Sequence, residues 1–139
     1  MSGAEPLAQP ALVARVVPDP TGLDKQFDYL VPDALRGVVA AIATPITQER
    51  EPDHARFVKL ARSLLANGCD ALNVLGTTGE ATSFSLGQRK ALMEAAAKEL
   101  PRERMMVGTG AASLGDAIDL TRHAASLGFG AALVLPPFY

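Results

Sequence analysis

Ala71-Leu72-Asn73-Val74-Leu75-Gly76-Thr77-Thr78-Gly79-Glu80 is the stretch whose reading decides the fold. A nearly unbroken apolar run of five residues passes directly into a small, hydroxyl-rich turn bounded by two glycines. Hydrophobicity on both faces of a short strand, instead of in/out alternation, suits a parallel sheet covered on both sides. Working outward, the same unit recurs. Residues 38–43 end in Thr44-Pro45, residues 105–107 in Gly108-Thr109-Gly110, and residues 131–135 in Pro136-Pro137-Phe138-Tyr139.

Helical patterns fill the gaps. Phe57, Leu60, Ala61, Leu64 and Leu65 fall at i, i+3, i+4, i+7 and i+8 within residues 53–67, opposite Arg56, Lys59, Arg62 and Ser63. Gly68 supplies a left-handed stop. A second helix is expected from about Ser85 to Leu100, before Pro101. A third starts at Ser113, with Asp116 three residues on as a weaker form of the capping box, and Gly128 closes it. The order is β-α-β-α-β-α-β, an α/β pattern with parallel strands and right-handed crossovers. Either a (β/α)8 barrel or a doubly wound open sheet satisfies it. The special residues follow every strand, and only the barrel spreads one site over the ends of many successive strands, which favours the barrel. A complete barrel needs about 250 residues, so residues 37–139 are read as about half of a (β/α)8 barrel.

Residues 1–36 lack this rhythm. They hold Pro6, Pro10, Pro18, Pro20 and Pro32, half of the ten prolines, and the whole formal charge of −2. They are expected to form an irregular N-terminal extension, disordered in part over its first eleven residues. The chain has 139 residues, 48% hydrophobic and 20% charged, with 13 Lys plus Arg against 15 Asp plus Glu. One domain fits that length. The balance provides no general attraction to nucleic acid or anionic lipid, so a polyanion partner is not expected. No apolar run approaches the ~20 residues that cross a bilayer. A lone Cys69 and the lack of a secretory pattern in the first 30 residues give a cytoplasmic expectation.

Among the chemical motifs, Gly76-Thr77-Thr78-Gly79-Glu80 is the densest. Two glycines let backbone N–H groups converge and two hydroxyls add donors, a nest suited to a carboxylate. A tight strand-to-helix turn with locally satisfied threonines is the competing reading. Gly108-Thr109-Gly110 invites a dinucleotide site, but Ser113 stands where a third glycine is needed and no acid follows at ribose distance. A glycine pair allowing close helix–strand packing is preferred. Tyr139, aimed by Pro136-Pro137, could serve a proton relay or pack as an interface aromatic. His54 and His123 are expected on solvated helix faces, Cys69 as a small buried hydrophobe, and no cluster has metal-ligand spacing. Lys59, Lys90 and Lys98 fall on helices, and none of the four lysines sits at a strand end. No cofactor is implied.

With the strand ends laid out, residues 37–139 closely resemble the amino-terminal part of the dihydrodipicolinate synthase and N-acetylneuraminate lyase family of (β/α)8 aldolases. The match is carried by residues 37–45, the 76–80 signature, Gly108-Thr109-Gly110 and Pro137-Phe138-Tyr139 in family order. The resemblance implies a carbon–carbon lyase that joins a lysine to pyruvate or another 2-oxo acid as a Schiff base. It implies that Thr78 holds the 2-oxo acid carboxylate, that Thr77 carries the relay hydroxyl, and that Tyr139 reaches a neighbouring subunit's relay in a homo-oligomer. Thr44 and Gly79 complete the expected substrate-binding set. Phe138 departs from the tyrosine common in the synthase branch, so the resemblance reaches the family and not one branch. The family's fifth-strand tyrosine and imine-forming lysine correspond to positions beyond residue 139, and the chain alone is therefore expected to be inactive. A non-enzymatic, self-assembling half barrel is the alternative. Residues 12–32, with Leu23-Asp24-Lys25-Gln26-Phe27-Asp28-Tyr29, resemble the opening of the primosomal replication-restart helicase, which implies binding of a DNA 3′ end. The acidic charge of that segment supports such binding poorly.

Overall fold

A computed structural model of the chain describes residues 35–135. Four short strands, β1 (Val39–Ala41), β2 (Ala71–Val74), β3 (Met105–Gly108) and β4 (Ala131–Leu133), alternate with helices α1 (His54–Ala66), α2 (Leu86–Glu99) and α3 (Leu114–Leu127). All neighbouring strands are parallel and lie in the order β1-β2-β3-β4. That sequential order settles the choice left open by the pattern. A doubly wound sheet reverses its strand order to place helices on both faces. Here the three helices share one apolar core with a single sheet face, the arrangement of part of a (β/α)8 barrel.

The register divides the strand residues between two faces. Ala40, Ile42, Leu72, Val74, Met105 and Val107 join Phe57, Ala61, Leu92, Met93, Ala96 and Leu120 in the core between sheet and helices. Full burial of each large apolar side chain contributes roughly 1.5–3 kcal/mol, so this layer holds the domain together. On the opposite, inner face Val39, Ala71, Met106 and Ala131 gather around Leu35.

Each helix begins where the sequence places a cap. Asp53 accepts from the Arg56 N–H, and Ser113 from the Asp116 N–H. Ser85 and Gln88 form a full reciprocal capping box, which the sequence reading passed over. Gly128 closes α3 in the left-handed conformation. α1 ends at Asn67, and Gly68 follows it in the left-handed conformation with φ of +102°, the stop that the sequence places there. His123 is less solvated than expected. It lies between α2 and α3, with Nε2 3.2 Å from Glu94 Oε1. Lys90 likewise pairs with Asp119 across the same two helices at 2.6 Å. Cys69 is half-buried. The amino-terminal rim is braced by Arg104, which donates to the Asp70 and Cys69 carbonyls, and by Asp70, which accepts from the Val38 N–H. No described helix is long and apolar enough to cross a membrane.

Candidate functional site

The carboxyl ends of β1, β2 and β3 meet at one rim. The β2–β3 register ends at Val74 and Val107, whereas β3 continues beside β4 through Gly108 and Leu133. The divergence begins at Leu75, a buried residue with φ of +54°. A non-glycine residue adopts that left-handed geometry only where its surroundings hold it there, at a cost of about 1–3 kcal/mol. The kink takes the chain out of the sheet and swings the 76–80 turn over the rim. Gly108 makes this possible. A Cβ on Gly108 would lie 1.9 Å from the Leu75 carbonyl oxygen, so only glycine lets the kinked strand pass. The 108–110 glycines thus provide close approach, but to the neighbouring strand ends at Leu75 and Leu135 and not between helix and strand as the sequence reading has it.

The turn is tied down at its base and open at its tip. Glu80 N–H donates to the Thr77 carbonyl at 3.0 Å. The Thr44 hydroxyl, at the end of β1, donates to the Gly79 carbonyl at 2.8 Å and fastens the turn to the neighbouring strand end. Gly79 is buried against Ile42 and Leu75, where a Cβ would come within 3.1 Å of backbone atoms of both. Thr77 and Thr78 are exposed. Among the described residues, neither their backbone N–H groups nor their hydroxyls have a hydrogen-bond partner. Four donors on two adjacent, exposed residues are therefore without a partner above a base tied to β1, an arrangement able to hold an anionic oxygen.

Thr77 also lines a cavity of about 330 Å³ with Gly76, Gly108, Gly110, Leu133 and Leu135. It lies between the β2 and β4 ends and is predominantly apolar. A few polar groups at one side of an apolar recess are what a small carboxylic acid needs. Thr109 points the other way. It is fully buried, and its hydroxyl accepts from Thr121 of α3 at 2.8 Å, which leaves it a packing role. Tyr139, with the rest of 136–139, lies outside the described residues. Among the described residues, no group of three or more His, Cys, Asp or Glu is placed to hold a metal ion.

One residue at this rim escaped the sequence reading. Arg89 is 3% exposed, and its Nη2 donates to the Gly108 carbonyl at 2.9 Å and the Gly110 carbonyl at 3.1 Å. Burial pushes its pKa below the usual guanidinium range, and the nearby Asp116 carboxylate works against that shift. The signal was in the helical spacing. Arg89, Leu92, Met93 and Ala96 stand at i, i+3, i+4 and i+7, so the arginine belongs to the apolar face of α2.

Known proteins agree with this architecture. The profile of the Dihydrodipicolinate synthetase family matches residues 34–139. The 4-hydroxy-tetrahydrodipicolinate synthase of Synechococcus sp. (strain CC9311) is 35% identical over 111 residues, 79% of this chain and 37% of that protein. Dihydrodipicolinate synthase from Agrobacterium tumefaciens superposes with a TM-score of 0.69 at 33% identity, over 74% of this chain and 36% of its own. The chloride-inhibited dihydrodipicolinate synthase from Acinetobacter baumannii, solved with pyruvate, gives a TM-score of 0.65 at 33% identity, over 76% and 36% of the two chains. The chain spans about a third of the length of the curated relatives it matches. A matching profile over three quarters of the sequence, and parallel strands in sequential order that superpose on solved members, lead to one assignment: the chain belongs to the dihydrodipicolinate synthetase family.

Proposed function

We propose that residues 37–139 supply the amino-terminal half of a class I lyase site for pyruvate or a similar 2-oxo acid. The observation that carries this reading is the unpartnered set of N–H and hydroxyl groups on Thr77, which lines the apolar cavity, and on the adjacent, exposed Thr78, which does not. In this reading Thr78 binds the carboxylate, Thr77 relays a proton through its hydroxyl, Thr44 and Gly79 hold the turn, and Tyr139 extends the relay. Binding of pyruvate by the relative from Acinetobacter baumannii supports the substrate class.

The 139-residue chain binds the acid but forms no imine. Among the described residues the lysines Lys59, Lys90 and Lys98 stand on α1 and α2, outside the sheet, and Lys25 lies outside the described residues, whereas an imine-forming amine must reach the substrate and be neutral there. Borohydride reduction with pyruvate should leave the chain unmodified while pyruvate still binds. Thr78→Val should weaken binding about tenfold, as expected for loss of a hydrogen bond to a charged group. A reduced adduct on the chain, or unchanged affinity in Thr78→Val, would overturn the reading.

Exposed apolar residues at the two sheet edges, Val38 beside β1 and Val134 and Leu135 after β4, favour a second reading in which the half barrel associates with another copy. A discrete dimer in equilibrium sedimentation supports it, and a monomer across micromolar concentrations sinks it. The reading of residues 12–32 as a DNA 3′-end binder rests on sequence resemblance alone. A soluble, cytoplasmic setting is part of the same proposal.

A further inference from the structure

The 76–80 turn can cross the rim only because β2 leaves the sheet at Leu75, and that departure has a cost elsewhere. Once β2 turns away, the β3 carbonyls that face its side lose their ladder partners. Thr109 N–H still pairs with the Leu133 carbonyl of β4, at 2.9 Å. Gly108 and Gly110, one residue to either side, present their carbonyls toward the vacated position. Buried carbonyls without partners are strongly disfavoured. The single Nη2 of Arg89 takes both.

We propose that Arg89 is the positioning residue of the anion turn: its guanidinium stands in for the backbone of β2 beyond Leu75, and so fixes the spacing between the 76–77 and 108–110 walls of the cavity. The inference deepens the proposed site and rests on it only for the identity of the ligand. Three features support it. Arg89 is the buried charged residue at the break in the β2–β3 ladder, and both carbonyls it holds belong to residues lining the cavity. Leu75 packs its own carbonyl against Gly108, so any shift of 108–110 passes directly to the root of the turn. Arg89 is not itself among the residues that line the cavity, so it can shape the wall without touching what enters.

Carbonyl-carbon and amide NMR spectra of the 139-residue chain, with Arg89→Met and Arg89→Lys variants, test the proposal. In Arg89→Met the carbonyl resonances of Gly108 and Gly110 should both move and the amides of Gly76 and Thr77 should move with them, while resonances of α1 stay in place. Pyruvate affinity should fall at least tenfold. Arg89→Lys, which can reach one carbonyl at a time, should recover a substantial part of that affinity. A role in stability alone predicts a lower melting temperature with the Gly76 and Thr77 amides unmoved, and that result overturns the proposal. So does full retention of pyruvate affinity in a folded Arg89→Met variant. Should Arg89→Met fail to fold, Arg89→Lys decides through its carbonyl and amide shifts alone. Should the wild-type chain bind no pyruvate, the substrate reading fails. Arg89 is then still judged by whether the Gly76 and Thr77 amides follow the two carbonyls.

Discussion

Replacing Gly108 by alanine puts the rim geometry under the most direct mechanical stress. The new methyl would sit 1.9 Å from the Leu75 carbonyl oxygen, 2.7 Å from its carbonyl carbon and 3.2 Å from the Gly76 nitrogen. All three are backbone atoms, so no side-chain rotation relieves the clash. The chain must either separate β2 from β3 or straighten the Leu75 kink. Overpacking of this kind costs typically 1–3 kcal/mol, occasionally more, and rigid backbone on both sides puts Gly108→Ala near about 3 kcal/mol. At ~4–8 °C per kcal/mol for a domain of this size, Tm should fall by roughly 12–24 °C. Urea unfolding followed by circular dichroism should show a lower midpoint with an unchanged slope. Gly115→Ala is the matched control, since a Cβ there meets only the Ser113 Oγ at 3.6 Å on the surface of α3. It should stabilise by about 0.5–1 kcal/mol through helix propensity. If Gly108→Ala costs less than about 0.5 kcal/mol, the close passage of β2 over β3 is wrong, and with it the explanation of the turn's position.

Other consequences follow from single contacts. Ser85→Ala removes the capping box of α2 and should cost about 1 kcal/mol in the same urea assay. Glu80 holds φ of +50° in the left-handed region, so Glu80→Gly should raise stability by up to about 1 kcal/mol by removing a Cβ penalty; a loss instead would mean that the carboxylate has a stabilising partner. Thr44→Val deletes the hydrogen bond to the Gly79 carbonyl and should cost about 0.5–1.5 kcal/mol. It should also speed hydrogen exchange at the Glu80 amide relative to amides of α3.

The strand–helix rhythm was legible because each element repeats one local rule. Apolar runs of both-face hydrophobicity became β1 to β4, Asp53, Ser85 and Ser113 marked helix starts through side-chain chemistry that acts within three residues, and Gly128 marked a helix end through its freedom to adopt a left-handed backbone. The core of α1 was legible in the same way. The rim was legible as composition and not as geometry. Two glycines and two threonines announce a turn with spare donors, but nothing local says that Leu75 bends backwards or that Gly108 must be bare to let it pass. Those are contacts between residues about thirty positions apart. Arg89 went unread because a charge on a helix is ordinarily solvated, and its i, i+3, i+4, i+7 relation to Leu92, Met93 and Ala96 was not weighed. His123 was placed in solvent for the same reason, although the packing of α2 on α3 covers it. The Thr109 hydroxyl faces α3 because its strand position, one residue after Gly108, turns it to the helix side.

The central claim is that Thr77 and Thr78 present donors to a carboxylate at the mouth of the half barrel. A titration of the isotopically labelled chain with pyruvate, and in parallel with its uncharged methyl ester, tests this residue by residue. The account predicts saturable movement of the Thr77 and Thr78 amides with pyruvate and little response to the ester. Equal shifts with both compounds, or pyruvate shifts confined to the outer faces of α1, α2 and α3, would contradict it.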